Sequence, residues 1–249
     1  MLSMVLEDAV SFKKCIEALS VLIDEGEFIA NSEGLSLKAT DPSQISMVDF
    51  KLPAKQFKEF NVEGTEKFGI DLSYLSQVMA RARAKDSLKM EITKDKAHLA
   101  VIFEGNATRS FSIPLVEITG AAVPTPNIEF DAEVKAIASE LQQGIKDAGL
   151  ISSHLSIGVD AEKFFMRANS SRGTFSHELT KKEGALLELK AKTEARSMFP
   201  LDYLANMLKG APADAEVKLF IKKDAPVMLE YSIAGAELVY FLAPRIEGD

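Results

Sequence analysis

Apolar and polar residues alternate in blocks along this chain, and the period switches between helix and strand in a fixed order. A short apolar stretch at residues 1–6 comes first. Ala9, Phe12, Ile16, Leu19 and Ile23 then fall on one face of a helix predicted over residues 8–23. Leu35, Leu37 and Ala39 alternate with period two, and so do residues 45–51. Asp71 is placed to cap a second helix running to about Lys85. Strands follow at Leu88/Met90/Ile92, Leu99/Val101/Phe103 and Arg109/Phe111/Ile113/Leu115. In the second half, helices are predicted over residues 131–147 and 202–209. Strands are predicted there over 155–159, 174–179, 186–190, 217–222, 228–233 and 238–242. Runs of strands between single helices predict an α+β fold. Antiparallel sheets would carry helices on one face, rather than the winding of βαβ units.

The order of elements repeats because the sequence repeats. Leu72-Ser73-Tyr74-Leu75 is matched by Leu201-Asp202-Tyr203-Leu204 at an offset of 129. The same offset carries Leu88-Lys89-Met90-Glu91-Ile92 onto Val217-Lys218-Leu219-Phe220-Ile221, and Leu35-Ser36-Leu37-Lys38-Ala39 onto Phe164-Phe165-Met166-Arg167-Ala168. Lys94-Asp95 likewise falls on Lys223-Asp224, and Ile113-Pro114 meets Ala243-Pro244 at an offset of 130. Ordered matches over most of the length imply two similar domains, 1–117 and 128–249. The intervening stretch, 118–127, has little periodicity and contains Pro124 and Pro126, so it is expected to be an extended connector.

Composition narrows the function by exclusion. The 249 residues are 47% hydrophobic and 27% charged, ordinary for a globular protein. No run of about 18 apolar residues predicts a membrane span, and nothing at the start resembles a secretory leader. Cys15 is the single cysteine and lies on the apolar helix face, which fits a core residue in a reducing, cytoplasmic setting. The motifs GxxxxGK[ST], GxGxxG, HExxH, CxxC and GxSxG are absent. His98, His154 and His177 are scattered, and Asp41 with Asp49 reads as a turn residue and a strand residue. No cofactor, no metal and no enzymatic activity are expected. The net charge of −8 divides evenly, −4 for residues 1–117 and −4 for 118–249, which by itself argues against nucleic acid.

Three segments change that picture. Gly34-Leu35-Ser36-Leu37-Lys38-Ala39-Thr40-Asp41-Pro42-Ser43-Gln44-Ile45-Ser46-Met47-Val48 resembles the signature of the proliferating cell nuclear antigen family. Gly69-Ile70-Asp71-Leu72-Ser73-Tyr74-Leu75 resembles the start of that family's second helix, and Leu242-Ala243-Pro244-Arg245-Ile246-Glu247 its closing motif. The resemblance spans essentially the whole chain and has an archaeal character. It implies a DNA clamp fold assembled as a homotrimeric closed ring around duplex DNA. Such a sliding clamp is a processivity factor in DNA replication and repair. A clamp loader places it, and it tethers DNA polymerase, flap nuclease and ligase through short peptide motifs. Its location would be cytoplasmic, at the nucleoid, or nuclear in a eukaryote. A clamp-like heterotrimer subunit, or an enzyme on a duplicated hotdog or ferredoxin-like sheet, are the alternatives. The purified chain forming a ring alone, or a catalytic acid or histidine at the helix mouths, would separate them.

Within that reading, the predicted helices offer Lys13, Lys14, Arg81, Arg83, Lys85, Lys135, Lys146 and Lys209 to the DNA-facing hole. Their acids Asp8, Asp71, Asp131 and Asp202 would be engaged at helix starts. The resemblance also implies a partner-motif pocket made by Thr40, Gln44, Ile45, Met47, Val123, Ile128, Pro226, Phe241, Ala243, Pro244 and Arg245. The subunit interface would pair residues 108–115 with residues 174–179 of a neighbour. Phe111, Phe175 and His177 lie in these segments, and Arg83 and Arg109 would face Glu140 and Asp147. Arg83 suits both the hole and the interface, and the sequence does not choose between them.

Overall fold

The alternating stretches build antiparallel ladders whose inward residues close over a pair of helices, and the chain does this twice. A computed structural model describes residues 2–119, 123–182 and 184–245. It forms two compact units. One comprises Met1–Pro42, Val48–Val123 and Ile233–Leu238; the other comprises Ser43–Met47, Pro124–Ser232 and Val239–Asp249.

In the first unit, β1 (Ser3–Leu6) leads into α1 (Ala9–Ser20), followed by β2 (Glu25–Asn31), β3 (Gly34–Thr40) and β4 (Ser46–Pro53). A 3-10 turn precedes β5 (Glu59–Asn61) and β6 (Glu66–Asp71); α2 (Leu72–Met79) and β7 (Ser87–Ile92), β8 (His98–Glu104) and β9 (Thr108–Pro114) complete it. The strands hydrogen-bond in the orders β5-β1-β7-β8-β9 and β4-β3-β2-β6. The second unit runs β10 (Ala132–Ile137), α3 (Ala138–Ala148), β11 (His154–Val159), β12 (Lys163–Ser170) and β13 (Gly173–Thr180). It continues through β14 (Leu186–Ala191), β15 (Ala195–Pro200), α4 (Leu201–Lys209), β16 (Glu216–Ile221), β17 (Val227–Ile233) and β18 (Ala236–Leu242). Its orders are β14-β10-β16-β17-β18 and β13-β12-β11-β15, matching the first unit strand for strand.

Helix ends and close approaches follow from local chemistry. Asp8 caps α1 by accepting from Val10 N at 2.9 Å, and Asp71 caps α2 by accepting from Tyr74 N at 2.8 Å. The inward faces of α1 and α2 pack together and bury Phe12, Ile16, Leu19, Leu72, Leu75 and Met79. In the second unit α3 and α4 pair likewise, burying Leu141, Ile145, Leu204 and Leu208. Burial of each such side chain is worth about 1.5–3 kcal/mol. α3 also lies against β12 and β13, and Gly144 is what permits it: a Cβ there would overlap Met166 and His177. Cys15 is buried, and desolvation pushes its thiol pKa up to about 12, which fits an inert core residue.

Several expectations are corrected. Residues 131–137 are not helical: Ala132, Val134 and Ala136 are buried in alternation, and β10 pairs with β14 and β16, so Lys135 stands on a strand. Asp131 therefore caps no helix; α3 begins after Ile137 without a side-chain cap. Asp202 lies inside the first turn of α4, whose N-cap is Pro200. α1 ends at Ser20, because Leu22 and Ile23 N–H groups both turn back to Leu19 O. α2 stops at Met79 instead of continuing to Lys85. Residues 80–85 have good helix formers but no apolar stripe to bury, Lys85 takes a left-handed φ of 72°, and Asp86 is buried just beyond. Arg81, Arg83 and Lys85 thus sit on the α2–β7 turn.

Candidate functional site

The charged positions on the helices divide by their partners. Lys13 pairs with Glu17 one turn on, at 3.7 Å. Lys135, on β10, pairs with Glu216 at 3.5 Å. Lys14, Arg81, Arg83, Lys85, Lys146 and Lys209 are exposed and make no ion pair among the described residues. Their positive charge is left to the solvent. Lys146 and Lys209 flank a groove of about 480 Å³ between α3 and α4, with Ile145, Ala205 and Leu208 in its floor.

β9 and β13 are two of the strands that end their sheets; β5, β6, β14 and β15 are the others among the described residues. Among the described residues β9 bonds only to β8, and β13 only to β12. β9 is held to the α2–β7 turn by Arg109. Its guanidinium is salt-bridged to buried Asp86, donates to Arg81 O at 2.7 Å, and lies 5.1 Å from the centre of the Phe103 ring. Asp86 also accepts from Arg83 N at 2.8 Å, so Arg83 is fixed beside the β9 edge. Phe111 stands half-buried on β9, edge-on to Phe103 at 5.9 Å. On β13, Phe175 meets His177 edge-on at 6.4 Å. His177 Nε2 is 3.9 Å from Glu140, and Asp147 accepts from Gln143 Nε2 at 2.8 Å. The surroundings of β9 are therefore basic, and α3 brings two carboxylates to the side of β13.

The eleven pocket residues fall into both units, Thr40 and Val123 in the first and the rest in the second. In the second unit, Ala243 N donates to Ile45 O at 2.8 Å, which brings Ile45 against the C-terminal segment. Met47 and Phe241 are each 5% exposed and belong to the core. Ile45, Ile128, Pro226, Ala243 and Pro244 keep half-exposed surface, as does Val123 in its own unit. Gln44 and Thr40 are exposed, and Gln44 has a left-handed φ of 58°. Arg245 is held twice: its N–H donates to Met198 O at 2.7 Å, and Nη1 lies 2.9 Å from His154 Nε2. Burial, and then the neighbouring guanidinium, hold His154 below the usual imidazole range. Ile246 and Glu247 of the closing motif lie outside the described residues, as do residues 120–122 of the connector.

Among the described residues no group of His, Cys, Asp and Glu is arranged to hold a metal ion. No helix there is long and apolar enough to cross a membrane. The sequence reading missed the groove between α3 and α4 and the Arg109–Asp86 pair. Both depend on residues far apart in the chain.

Solved structures share this duplicated architecture. The crystal structure of PCNA from Thermococcus kodakaraensis superposes with a TM-score of 0.93 at 28% identity, covering 98% of this chain and 100% of that one. The A. fulgidus PCNA bound to the C-terminal region of FEN-1 gives 0.91 at 26% identity, covering all of both chains. A PCNA2–PCNA3 complex from Sulfolobus tokodaii gives 0.89 at 29% identity, over 98% of this chain and 100% of that one. The fold is the DNA clamp fold. Residues 1–119 match the family model for the N-terminal domain of proliferating cell nuclear antigen, and residues 124–246 that for its C-terminal domain. Curated relatives from Methanococcus maripaludis and Pyrococcus horikoshii, each named DNA polymerase sliding clamp, are 34% and 33% identical. The first covers 95% of this chain and 96% of its own length; the second covers 98% of both. The chain belongs to the proliferating cell nuclear antigen family.

Proposed function

We propose that this chain is a DNA sliding clamp that works without catalysis of its own, as a ring of three copies around duplex DNA. The observation that carries the reading is that two of the sheet-ending strands, β9 and β13, present half-buried aromatic rings and charges of opposite sign beside their open edges. Pairing β9 of one copy with β13 of the next satisfies both edges and repeats head to tail until it closes. The flanking charges are opposite in sign and so complementary, with Arg83 beside β9 and Glu140 and Asp147 beside β13. We assign Arg83 to this interface on that ground. Residues 118–127 are the connector between the two clamp domains, 1–117 and 128–249.

Lys13, Lys14, Arg81, Lys85, Lys146 and Lys209 would face the DNA. A net charge of −8 is compatible with this if these cations are gathered on one side of the chain, because sliding needs weak, sequence-independent phosphate contacts. Reversing Lys14 and Lys209 to Glu should weaken retention on duplex DNA and flatten its log–log salt slope by about 2 per chain. Unchanged retention and slope would remove the lining role. Ring assembly itself is read from the mass in solution, expected to be three times 27.2 kDa.

Ile45, Ile128, Pro226 and the Ala243-Pro244-Arg245 segment, with Gln44, would receive a short peptide from a partner such as polymerase, clamp loader, ligase or nuclease. The FEN-1 segment bound to A. fulgidus PCNA supports a nuclease among them. Tethering raises the partner's effective concentration at the template. Ile128→Ala should weaken binding of a glutamine- and aromatic-containing peptide by about tenfold, in line with loss of an anchoring contact; equal titration curves would sink this pocket. The Sulfolobus tokodaii complex favours a second reading, in which the ring is mixed and this chain does not close it alone.

A further inference from the structure

The groove between α3 and α4 does not end at the helices. Gly149 and Leu201 line it, and the same two residues line a second, more polar groove of about 760 Å³ that reaches the turn between β12 and β13. The two form one trough within the second unit. Lys146 and Lys209 stand at one end. At the other are Arg172, at the tip of the β12–β13 turn, and the hydroxyl-bearing Ser152, Ser170 and Ser171.

We propose that this trough carries one sugar–phosphate strand of duplex DNA, and that Arg172 is a phosphate-contacting residue at its outer end. The inference rests on the clamp reading and extends it from the helices to a turn. Its chemistry suits a backbone ligand. The floor between the lysines is apolar, made by Ile145, Ala205 and Leu208, and offers van der Waals contact to deoxyribose. The ends are cationic, spaced along a track instead of gathered into one anion hole. Arg172 has no ion pair among the described residues, and its backbone N–H is fixed by Ser170 Oγ at 3.0 Å. Ser170 Oγ in turn donates to Ile151 O at 2.7 Å, so the turn is tied to the loop after α3. Asp202 is the opposing charge in the polar groove, and it keeps the hold weak, as a sliding contact requires.

The repeat sharpens the point. The matching connection in the first unit, between β3 and β4, is the five-residue segment Asp41-Pro42-Ser43-Gln44-Ile45, while β12 and β13 are joined by Ser171-Arg172 alone. The two copies of one loop have diverged. One carries Gln44 and Ile45, assigned to partner docking; the other is short and ends in Arg172, which has no ion pair among the described residues.

The test is titration of the whole protein with a short synthetic duplex, and separately with a single strand of equal length, over a salt series. Arg172→Ala alters an exposed turn and leaves the core intact. Loss of one phosphate contact flattens the log–log salt slope by about 0.9, roughly an eightfold weakening at about 0.1 M salt against a 1 M reference. That result for duplex, with Arg172→Lys retaining most of the affinity, is expected. If Arg172→Ala matches the parent while Lys14→Glu, outside the trough, loses binding, the trough assignment falls and the clamp reading stands. A loss confined to the single strand also overturns it. If neither variant changes duplex binding, both readings fall together.

Discussion

Replacing Arg109 by alanine should lower the stability of the folded chain by about 2–3 kcal/mol, more than any other single change of surface charge. Its partner Asp86 has a side chain only 6% exposed, while that of Arg109 is 22% exposed. Removing one member of a buried pair leaves an uncompensated charge and costs about 3–5 kcal/mol when both are fully enclosed. The partial exposure of Arg109 reduces that figure, because water screens the outer end of the guanidinium. Arg109 also closes the α2–β7 turn through Arg81 O and covers the Phe103 ring, so its loss loosens a turn as well as a charge pair. The measurement is the midpoint of chemical denaturation. Adding Asp86→Asn to the alanine variant should recover about 1 kcal/mol, since the orphaned carboxylate is then neutral. An Arg109→Ala chain as stable as the parent, yet smaller in solution mass, would place the work of this residue between copies and not within one.

That pair shows where sequence reading stops. Asp86 and Arg109 lie 23 positions apart on different elements, and nothing in their local pattern joins them. Elements with a strong period were readable: α1 and α2 with their Asp8 and Asp71 caps, and the strands from 87 to 114 and from 216 to 242. Strands whose inward residues are small were not. β2 buries Gly26 and Ala30 beside Phe28, and β15 buries Ala195 and Ser197 beside Phe199, so neither presents an apolar alternation. Ser197 is accommodated by donating to Lys222 O at 2.9 Å, a partner visible only once the chain has folded.

One miss was avoidable. The offset of 129 places Ser3–Leu6 on residues 132–135, so the repeat itself predicts a strand where a helix was expected, and it moves Lys135 off the helices. A duplication constrains each half by the other, and the weaker pattern should yield to the stronger one. The candidate site divides in the same way. Cations on helices could be named from the sequence, whereas Arg172 sits in a two-residue turn with no period at all. Its relation to Lys146 and Lys209 exists only through the shared lining of Gly149 and Leu201.

The second large effect should come from the strand edges. Phe111→Ala on β9 and Phe175→Ala on β13 should each shift the assembly toward 27.2 kDa chains, while the fold itself changes little. Both rings are half-buried within their own unit and so leave apolar surface at an open edge. Aromatic anchors at the centre of an interface typically account for 2 kcal/mol or more each, about a thirtyfold loss in association per contact. In a closed ring every copy contributes both edges, so one substitution weakens every junction at once. Sedimentation across a dilution series reads the result directly. The parent should hold a mass near three chains at concentrations where either variant has come apart, and the double variant should dissociate first. The main-chain ladder and the charges around Arg83 and Glu140 would still attract, so elevated salt should widen the gap between parent and variant. A variant that keeps the parent mass through the whole series would mean that these edges do not meet, and the head-to-tail ring would have to be built on other strands.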